Sequence, residues 1–244
     1  MITTLHIKNI GIIEDLTIDL KSYVQLKTAF MGGFTHSNPK LTGFTLDNVG
    51  SIDLTSSYPS VMCAEMYPMS RPKLLTPNSY AELKELMHLY CIVLDVKYVG
   101  LKNILGYESY ISESKCRNIK GPTINNGRIW EADELDITLT DVDINIIEKV
   151  YSWDKIALQN VRGFRKAYLP KSIIESILNL YQDKTTLKGV QGKEVEYLLS
   201  KGMLNSVYGM CVTDIIKDNA IYSDDENWGF EKVDINAEIE KYNL

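Results

Sequence analysis

The chain has 244 residues, with 26 Lys or Arg against 32 Asp or Glu, so its formal net charge is −6. That length holds one large domain or two small ones. The net charge argues weakly against a nucleic-acid binder, and no run of 18 apolar residues predicts a membrane span. The four cysteines are scattered and form no C-x-x-C pair. They therefore favour reduced thiols over a zinc site or a disulfide framework.

Charge is distributed unevenly along the chain. From Arg162 to Lys201 there are eight Lys or Arg against four Asp or Glu, a local charge of +4. From Cys211 to Glu240 there are two Lys against nine Asp or Glu, a local charge of −7. The basic segment suffices to meet phosphates, although a solvated helix face explains it equally well when it is taken alone.

The N-terminal part predicts short strands and turns. Residues 2–20 alternate apolar and polar positions in two runs, which predicts two strands. The start has no basic region followed by an apolar one, so no signal peptide is expected. A glycine pair, Gly32–Gly33, and an Asn38–Pro39 turn follow. The run VGSIDL (49–54) predicts a further strand that ends near Asp53, and a hydroxyl-rich turn comes next.

The middle of the chain predicts alternating helices and strands. Residues 78–90 read as a helix with Asn78 or Ser79 as N-cap, and residues 91–100 as a strand. Residues 100–135 are polar and rich in turns, which predicts an irregular inserted module. A short helix capped by Thr140 or Asp141 follows over 140–153, and then a strand and a connector.

Two helices are predicted before the acidic end of the chain. The first, over 169–188, has Pro170 near its first turn, and the second begins after Gly192 and ends at Gly209. The polar loop between them makes a helical hairpin. Residues 210–244 read as short acidic strands or loop.

One face of the second predicted helix has three polar side chains that could bind a ligand. Lys201, Asn205 and Tyr208 stand at i, i+4 and i+7, so an ammonium, an amide and a phenol share one helical face, which Tyr197 continues. Gly209 lets another group approach the backbone closely. The same pattern also fits core packing with a lysine whose stem lies along the surface.

Together, DLTSSYPS (53–60) and KGMLNSVYG (201–209) resemble motifs A and B of family B DNA polymerases. AFMGGFTHSNP (29–39) resembles the glycine pair ahead of motif A in the protein-primed, phage-type members. The segments over 139–151 and 168–186 resemble the stretch of chain that leads, in those enzymes, from the inserted module to the fingers subdomain. The resemblance extends from about Leu20 onward and identifies a central fragment of such a polymerase, without exonuclease domain, motif C or thumb.

The resemblance implies an α+β fold, with a partial polymerase palm of antiparallel sheet, an inserted α/β module and a helical-hairpin fingers subdomain. It divides the chain into 1–75, a palm part with motif A, and 76–160, an insertion resembling the terminal-protein region. Residues 161–209 are then the fingers with motif B, and 210–244 an acidic partial palm segment.

The resemblance also assigns residues. Asp53 is the catalytic carboxylate and, with the Leu54 carbonyl, the ligand of two Mg²⁺ ions. Tyr58 excludes a 2′-hydroxyl. The role of Lys184 is open because its loop to Lys201 is long, and Lys188 or Lys193 could replace it. The implied nucleotide-binding residues are Leu54, Ser56, Ser57, Tyr58, Lys184, Lys201, Asn205 and Tyr208. The implied DNA-binding residues are Gly32, Gly33, Ser206, Gly209 and Arg165.

The implied function is a DNA-directed DNA polymerase fragment that adds dNTPs to a 3′-hydroxyl by two-metal phosphoryl transfer. The second metal carboxylate is expected to be absent, with Asp224 and Asp225 a decoy, so the chain alone is expected to incorporate no nucleotide. A split gene product, a relic and an excised piece all remain open. The expected partners are template-primer DNA, dNTP, terminal protein and a second polymerase chain with motif C, without a membrane. The expected location is the cytoplasm of a bacterial host of a phage or mobile element.

Two alternatives remain at this stage. One is a non-catalytic module that binds DNA, a nucleotide or a replication protein on a polymerase scaffold. The other is an unrelated α+β protein with accidental motifs, which a palm-type antiparallel sheet carrying Asp53 at a strand end beside a protruding helical hairpin would exclude.

Overall fold

A computed structural model describes residues 4–10, 13–35, 38–211, 219–222 and 228–231. The chain divides into two compact units. The first, here the motif unit, contains 1–20, 52–67 and 167–244, and the second, here the sheet unit, contains 21–51 and 68–166. The division into palm part, insertion, fingers and acidic segment stays a prediction. No helix among the described residues is both long enough and apolar enough to cross a bilayer.

The described residues form strands, α-helices and two 3-10 helices, Pro39–Leu41 and Glu113–Lys115. The strands are β1 (Thr4–Ile10), β2 (Ile13–Asp19), β3 (Tyr67–Pro68), β4 (Lys73–Leu74), β5 (Tyr90–Asn103), β6 (Cys116–Lys120), β7 (Thr123–Asn125), β8 (Arg128–Thr140), β9 (Tyr151–Ser152), β10 (Lys155–Ala167), β11 (Asn219–Tyr222) and β12 (Trp228–Glu231). The α-helices are α1 (Leu20–Ala29), α2 (Ser57–Ala64), α3 (Tyr80–Leu89), α4 (Asp141–Val150), α5 (Lys171–Leu187) and α6 (Glu194–Cys211).

An antiparallel sheet dominates the sheet unit, with the strand order β3-β10-β5-β8-β6. In its centre, Val96 of β5 lies between Leu158 of β10 and Ile137 of β8. Alternate residues of β5, from Ile92 to Tyr98, are buried, as expected for a strand with one face on a core. They pack with α3 and α4, whose Leu83 and Ile144 are fully buried.

The opposite face of this sheet is polar at its centre and apolar at one end. Asp95 accepts hydrogen bonds there from Arg117, Thr138 and Asn160, each at 2.7 Å. Burial alone would raise the pKa of Asp95, but these bonds outweigh it and lower that pKa. Near the end of the face, Ala29 of α1 packs on Val93 and Phe164.

Side-chain caps start helices α3 and α4 of the sheet unit. Ser79 accepts a hydrogen bond from the Glu82 amide at 3.1 Å, which fixes the start of α3. Thr140 and Asp143 form a reciprocal capping box at the start of α4. The predicted helices at 78–90 and 140–153, with Ser79 and Thr140 among their predicted caps, are therefore confirmed.

In the motif unit, α5 and α6 form the predicted helical hairpin, and α2 packs against both. Met62 of α2, Ile177 of α5 and Leu204 of α6 are buried together at its centre. The two predicted N-terminal strands are present, with Ile7 of β1 opposite Leu16 of β2. β11 and β12 also form an antiparallel pair, with Ala220 opposite Phe230. Mixed helices and antiparallel sheets confirm the α+β fold class.

Three expectations about secondary structure were wrong. Residues 49–54 are not a strand, because no neighbouring strand among the described residues pairs with them. The stretch 100–135 is not irregular, since it contains β6, β7 and most of β8, in which Ile129 and Leu135 are fully buried. The supposed turn after Asp53 is only two residues long, and α2 begins at Ser57. α1 was not predicted.

Candidate nucleotide-binding site

The start of α2 and the end of α6 meet in the motif unit. The Tyr58 ring stacks on the Tyr208 ring, with centroids 4.1 Å apart and planes inclined by 20°. Tyr58 stands in the first turn of α2, where the neighbouring Pro59 is buried. Tyr208 also contacts the buried cluster around Leu204. The two motifs of the sequence therefore contact each other through their tyrosines.

A second contact joins the same turn to α5. Lys184 Nζ donates a hydrogen bond of 2.8 Å to Ser56 Oγ. Lys184 is half-buried, and its ammonium also lies 5.9 Å from the centre of the Tyr181 ring. Of the three candidate lysines, Lys184 is thus the one at this turn. Lys193 is paired with Glu196 at 2.7 Å, and Lys188 is exposed just beyond α5.

The first turn of α2 has no side-chain cap. Ser56, its N-cap residue, has left-handed backbone angles, φ 52° and ψ 48°, and its hydroxyl makes no capping hydrogen bond. The first amides of a helix have no partner within the helix. Uncapped, they attract anions, and a lysine next to them adds positive charge. The turn at Ser56 can therefore hold a phosphate.

Asp53 and Leu54 precede this turn on an exposed, irregular segment. Leu54 is 72% exposed, and the preceding Ile52 is 96% exposed. Among the described residues no group of three or more His, Cys, Asp or Glu is placed to hold a metal ion. One exposed carboxylate beside a free carbonyl fits Mg²⁺ only as a partial ligand set, which substrate phosphates would complete.

The predicted stripe on α6 is present as a helical face. Lys201 and Asn205 are exposed and Tyr208 is half-buried. Gly202 and Gly209 lie on the exposed side of the same helix, where an added Cβ would meet nothing within 4 Å. Neither has a positive φ. A mid-helix glycine costs about 1 kcal/mol relative to alanine, so the fold described gives no reason for these two.

The remaining predicted site residues are divided between the motif unit and the sheet unit. Ser57 is exposed in the first turn of α2. Ser206 is exposed on α6, and its hydroxyl donates a hydrogen bond to the Gly202 carbonyl. Gly32, Gly33 and Arg165 are exposed and belong to the sheet unit. Asp224 and Asp225 lie outside the described residues.

Burial raises the pKa values of one tyrosine and one cysteine near the cluster. Desolvation, with the charge of Glu65 as a further cause, raises the pKa of Tyr67. Desolvation likewise raises the pKa of the Cys63 thiol. Both side chains pack on the core of Met62, Ile177 and Leu204. Both groups are uncharged at pH 7, which suits side chains that pack on an apolar core.

Sequence reasoning missed two features of this cluster. It did not predict helix α2, because a proline three residues into a helix looks like a turn residue, although the first helical turn tolerates it. It also did not predict the contact between Lys184 and Ser56, which joins positions 128 residues apart. The pairing of a lysine with a hydroxyl carries no local signal in the sequence.

The family model described as DNA polymerase type B, organellar and viral, matches residues 8–243. The chain belongs to this family of type B DNA polymerases. The resemblance found in the two sequence motifs is thus confirmed at the level of the family. No curated protein sequence matches this polymerase chain significantly.

Solved structures of phi29 DNA polymerase share the fold. The chain resembles that enzyme complexed with primer-template DNA, with a TM-score of 0.61 and 18% identity, covering 87% of this chain and 34% of that one. The complex of that enzyme with primer-template DNA and incoming nucleotide substrates gives a TM-score of 0.58 and 17% identity, covering 87% of this chain and 35% of that one. An orthorhombic crystal form of the enzyme gives a TM-score of 0.60 and 18% identity, covering 88% of this chain and 35% of that one. This type B polymerase chain therefore spans about a third of the length of those structures.

Proposed function

We propose that the chain is the nucleotide-binding part of a DNA-directed DNA polymerase, which adds dNTPs to a primer 3′-hydroxyl. The single observation that carries the proposal is the uncapped α2 turn with Lys184 on Ser56, next to the stacked rings of Tyr58 and Tyr208. An anion site beside an aromatic surface suits a triphosphate joined to a sugar and a base.

The roles of the individual residues follow from this arrangement. The amides of Ser57 and Tyr58 and the Lys184 ammonium would bind phosphate oxygens. Lys201, exposed on α6, would add a second positive charge to the phosphates. The Tyr58 ring, held by Tyr208, would support the deoxyribose and leave no room for a 2′-hydroxyl.

Asp53 and the Leu54 carbonyl would hold Mg²⁺ together with the substrate phosphates. Two bound metal ions would supply activation of the primer hydroxyl and charge stabilisation at the leaving pyrophosphate. Asp53 would orient the phosphates by binding the same Mg²⁺ ions as the phosphate oxygens do, and Lys184 and Lys201 would offset the phosphate charge. We further propose that a second carboxylate comes from another polypeptide segment bearing motif C. Template-primer DNA and a terminal protein are the proposed partners.

The experiment measures Mg²⁺-dependent binding of a fluorescent dNTP and primer extension by the same chain. We expect binding that Asp53→Asn weakens at least tenfold, while Asp47→Asn, an exposed aspartate just upstream, leaves it unchanged. We expect no extension by the chain alone. Unchanged dNTP binding by Asp53→Asn would overturn the metal role of Asp53. A chain that binds neither dNTP nor primer-template DNA would exclude the proposed function altogether.

A scaffold that binds DNA without catalysis is the competing hypothesis. It is distinguished by adding a polypeptide that carries motif C. Restored primer extension that Asp53→Asn abolishes supports the polymerase. A complex that forms with DNA but never extends the primer supports the binding module.

A further inference from the structure

One tyrosine of α5 lies beside the ammonium of Lys184. Tyr181 and Lys184 stand at i and i+3, so they share one face of the helix. Helical side chains lean toward the N-terminus of their helix, which brings the Lys184 stem over the turn that carries Tyr181. Lys184 Nζ lies 5.9 Å from the centre of the Tyr181 ring, which is a cation–π distance. Tyr181 itself is 39% exposed, so the contact lies at the surface of the motif unit.

The Lys184 ammonium is held by groups that carry no charge. Its other described partner is the Ser56 hydroxyl, which accepts a hydrogen bond of 2.8 Å. Lys193 of the same helical hairpin is different, because it pairs with the Glu196 carboxylate at 2.7 Å. Lys184 forms no ion pair with a residue that the structure describes. A carboxylate would offset the charge of the ammonium, whereas a ring face and a hydroxyl leave that charge available for an anion.

The two contacts also leave part of the ammonium free to bind a ligand. An ammonium has three N–H donors and no acceptor. One donor is directed to Ser56 Oγ, and the Tyr181 ring face occupies a second direction. The third donor can reach a phosphate oxygen while both contacts persist. Lys184 therefore need not leave its partners when a phosphate binds at the α2 turn.

The first turn of α2 offers few amides of its own. Pro59, the third residue of the helix, has no N–H, and the Ser60 amide donates to the Ser56 carbonyl at 3.0 Å. In this turn the amides of Ser57 and Tyr58 remain for a ligand. A phosphate here therefore relies on the lysine for positive charge. A lysine that is already held in place loses less side-chain entropy when the ligand binds.

We propose that Tyr181 is a positioning residue for nucleotide binding, whose ring face holds the Lys184 ammonium at the α2 turn before a nucleotide arrives. The inference rests on the proposed function, since its ligand is the phosphate chain of a dNTP. Tyr181 acts through Lys184 and not on the nucleotide. The ring gives this support without competing with the phosphate for the charge of the ammonium, as a carboxylate would.

The first test is the Mg²⁺-dependent affinity of Tyr181 variants for the fluorescent dNTP. Tyr181→Leu removes the ring face, and we expect about threefold to fivefold weaker binding. Tyr181→Phe keeps the ring face and should bind within about twofold of wild type. The matched control is Tyr168→Leu, at a tyrosine of the same unit that is 53% exposed, and it should leave the affinity unchanged. Unchanged affinity of Tyr181→Leu, or equal losses in both Tyr181 variants, would overturn the inference.

A background without the lysine separates positioning from a direct contact. We expect Lys184→Met alone to bind the dNTP about tenfold more weakly, and Tyr181→Leu to cause no further loss in that background. A tyrosine that contacts the nucleotide, or that only stabilises α5, would weaken binding by the same factor in both backgrounds. That result would contradict a role exerted through Lys184.

Amine labelling of the nucleotide-free chain reports the lysine directly. Peptide mass spectrometry gives the acetylation rates of Lys184 and of Lys188, which is exposed just beyond α5. We expect Tyr181→Leu to raise the rate at Lys184 about threefold and to leave Lys188 unchanged. An unchanged rate at Lys184 would show that the ring does not hold the ammonium. If the labelling follows this expectation but the wild-type chain binds no dNTP, the proposed function fails, and the role in nucleotide binding fails with it.

Discussion

Tyr58 and Tyr208 stack ring on ring across the motif unit, although 150 residues separate them in the sequence. Tyr58 belongs to the first turn of α2, and Tyr208 to the last turn of α6. The contact connects the residues after the metal-ligand candidate to the helix that carries Lys201. It also predicts how the two tyrosines depend on each other.

We expect Tyr208→Ala to lower the free energy of unfolding of the motif unit by about 2 kcal/mol, since it removes both the stack and the contact with the core. Tyr208→Phe keeps the ring and should change the unfolding free energy by less than about 0.5 kcal/mol. Urea unfolding followed by helical circular dichroism measures both. Tyr168→Ala, at a tyrosine that is 53% exposed, is the control. Equal stabilities of the alanine and phenylalanine variants at 208 would contradict the stabilising role of the stack.

Ser56 combines backbone strain with a useful hydroxyl. Its left-handed φ of 52° disfavours any residue with a Cβ. Ser56→Ala loses the hydrogen bond from Lys184 and keeps the strain, whereas Ser56→Gly loses the bond and relieves the strain. We expect the glycine variant to exceed the alanine variant in unfolding free energy by about 1 kcal/mol.

The neighbouring Ser57 is the matched control for Ser56. Ser57 is helical, so Ser57→Gly should be less stable than Ser57→Ala by about 1 kcal/mol, the reverse order. Chemical denaturation of the four variants gives the comparison. The same order at both positions would show that the left-handed backbone of Ser56 carries no strain.

Asp95 should make the stability of the sheet unit depend on pH. The pKa of its carboxyl is lowered in the fold, so the stabilisation is complete above the unfolded pKa of about 3.9 and is lost as pH falls through the folded pKa. We expect Asp95→Asn to lower the unfolding free energy by about 2 kcal/mol at pH 7 and by progressively less below pH 4.

The Asp95 measurement follows tryptophan fluorescence during urea unfolding at several pH values, and Trp130 and Trp153 both lie in the sheet unit. Asp47→Asn removes an exposed carboxylate from the same unit and should show no such trend. A difference between Asp95→Asn and wild type that stays constant down to pH 2 would disprove the linkage.

Two buried tyrosines should respond oppositely to loss of the hydroxyl. Tyr98 Oη is buried with no hydrogen-bond partner among the described residues, and burial raises the pKa of Tyr98. Tyr151 Oη accepts from the amides of Tyr110 and Ile111 and donates to the Ile129 carbonyl at 2.7 Å. We expect Tyr98→Phe to stabilise the sheet unit by about 1 kcal/mol and Tyr151→Phe to destabilise it by about 2 kcal/mol.

The same fluorescence assay decides between the two tyrosines. Destabilisation of both variants by similar amounts would show that the Tyr98 hydroxyl has a partner, such as a buried water.

Helices α3 to α6 were predictable because their signals are local. Ser79 and Thr140 are N-cap residues that indicate the starts of α3 and α4, and the periodicity of apolar residues indicates α5 and α6. β8 was missed because charged residues such as Glu131 and Glu134 interrupt the alternating apolar pattern to which Ile129, Leu135 and Ile137 belong. Local alternation also failed at 49–54, since a strand exists only where another strand pairs with it.

The site was predictable only as far as its motifs extend. Asp53, Tyr58, Lys201 and Tyr208 were named from sequence order, and the stack then placed two of them together. The Lys184–Ser56 hydrogen bond and the contact of Arg128 with the Phe34 ring join residues 128 and 94 positions apart, which no window of sequence reveals. Side-chain contacts over such separations arise from topology, which one sequence does not display.

The segment that leads to Asp53 has a consequence for handling the protein. Phe44, Leu46, Val49, Ile52 and Leu54 are between 50% and 96% exposed, on irregular chain without strand pairing among the described residues. Apolar residues with unsatisfied backbone groups readily pair with the same segment of another molecule. Concentrated solutions should therefore self-associate through this run, and a lysine at position 46 should improve solubility without touching the helices.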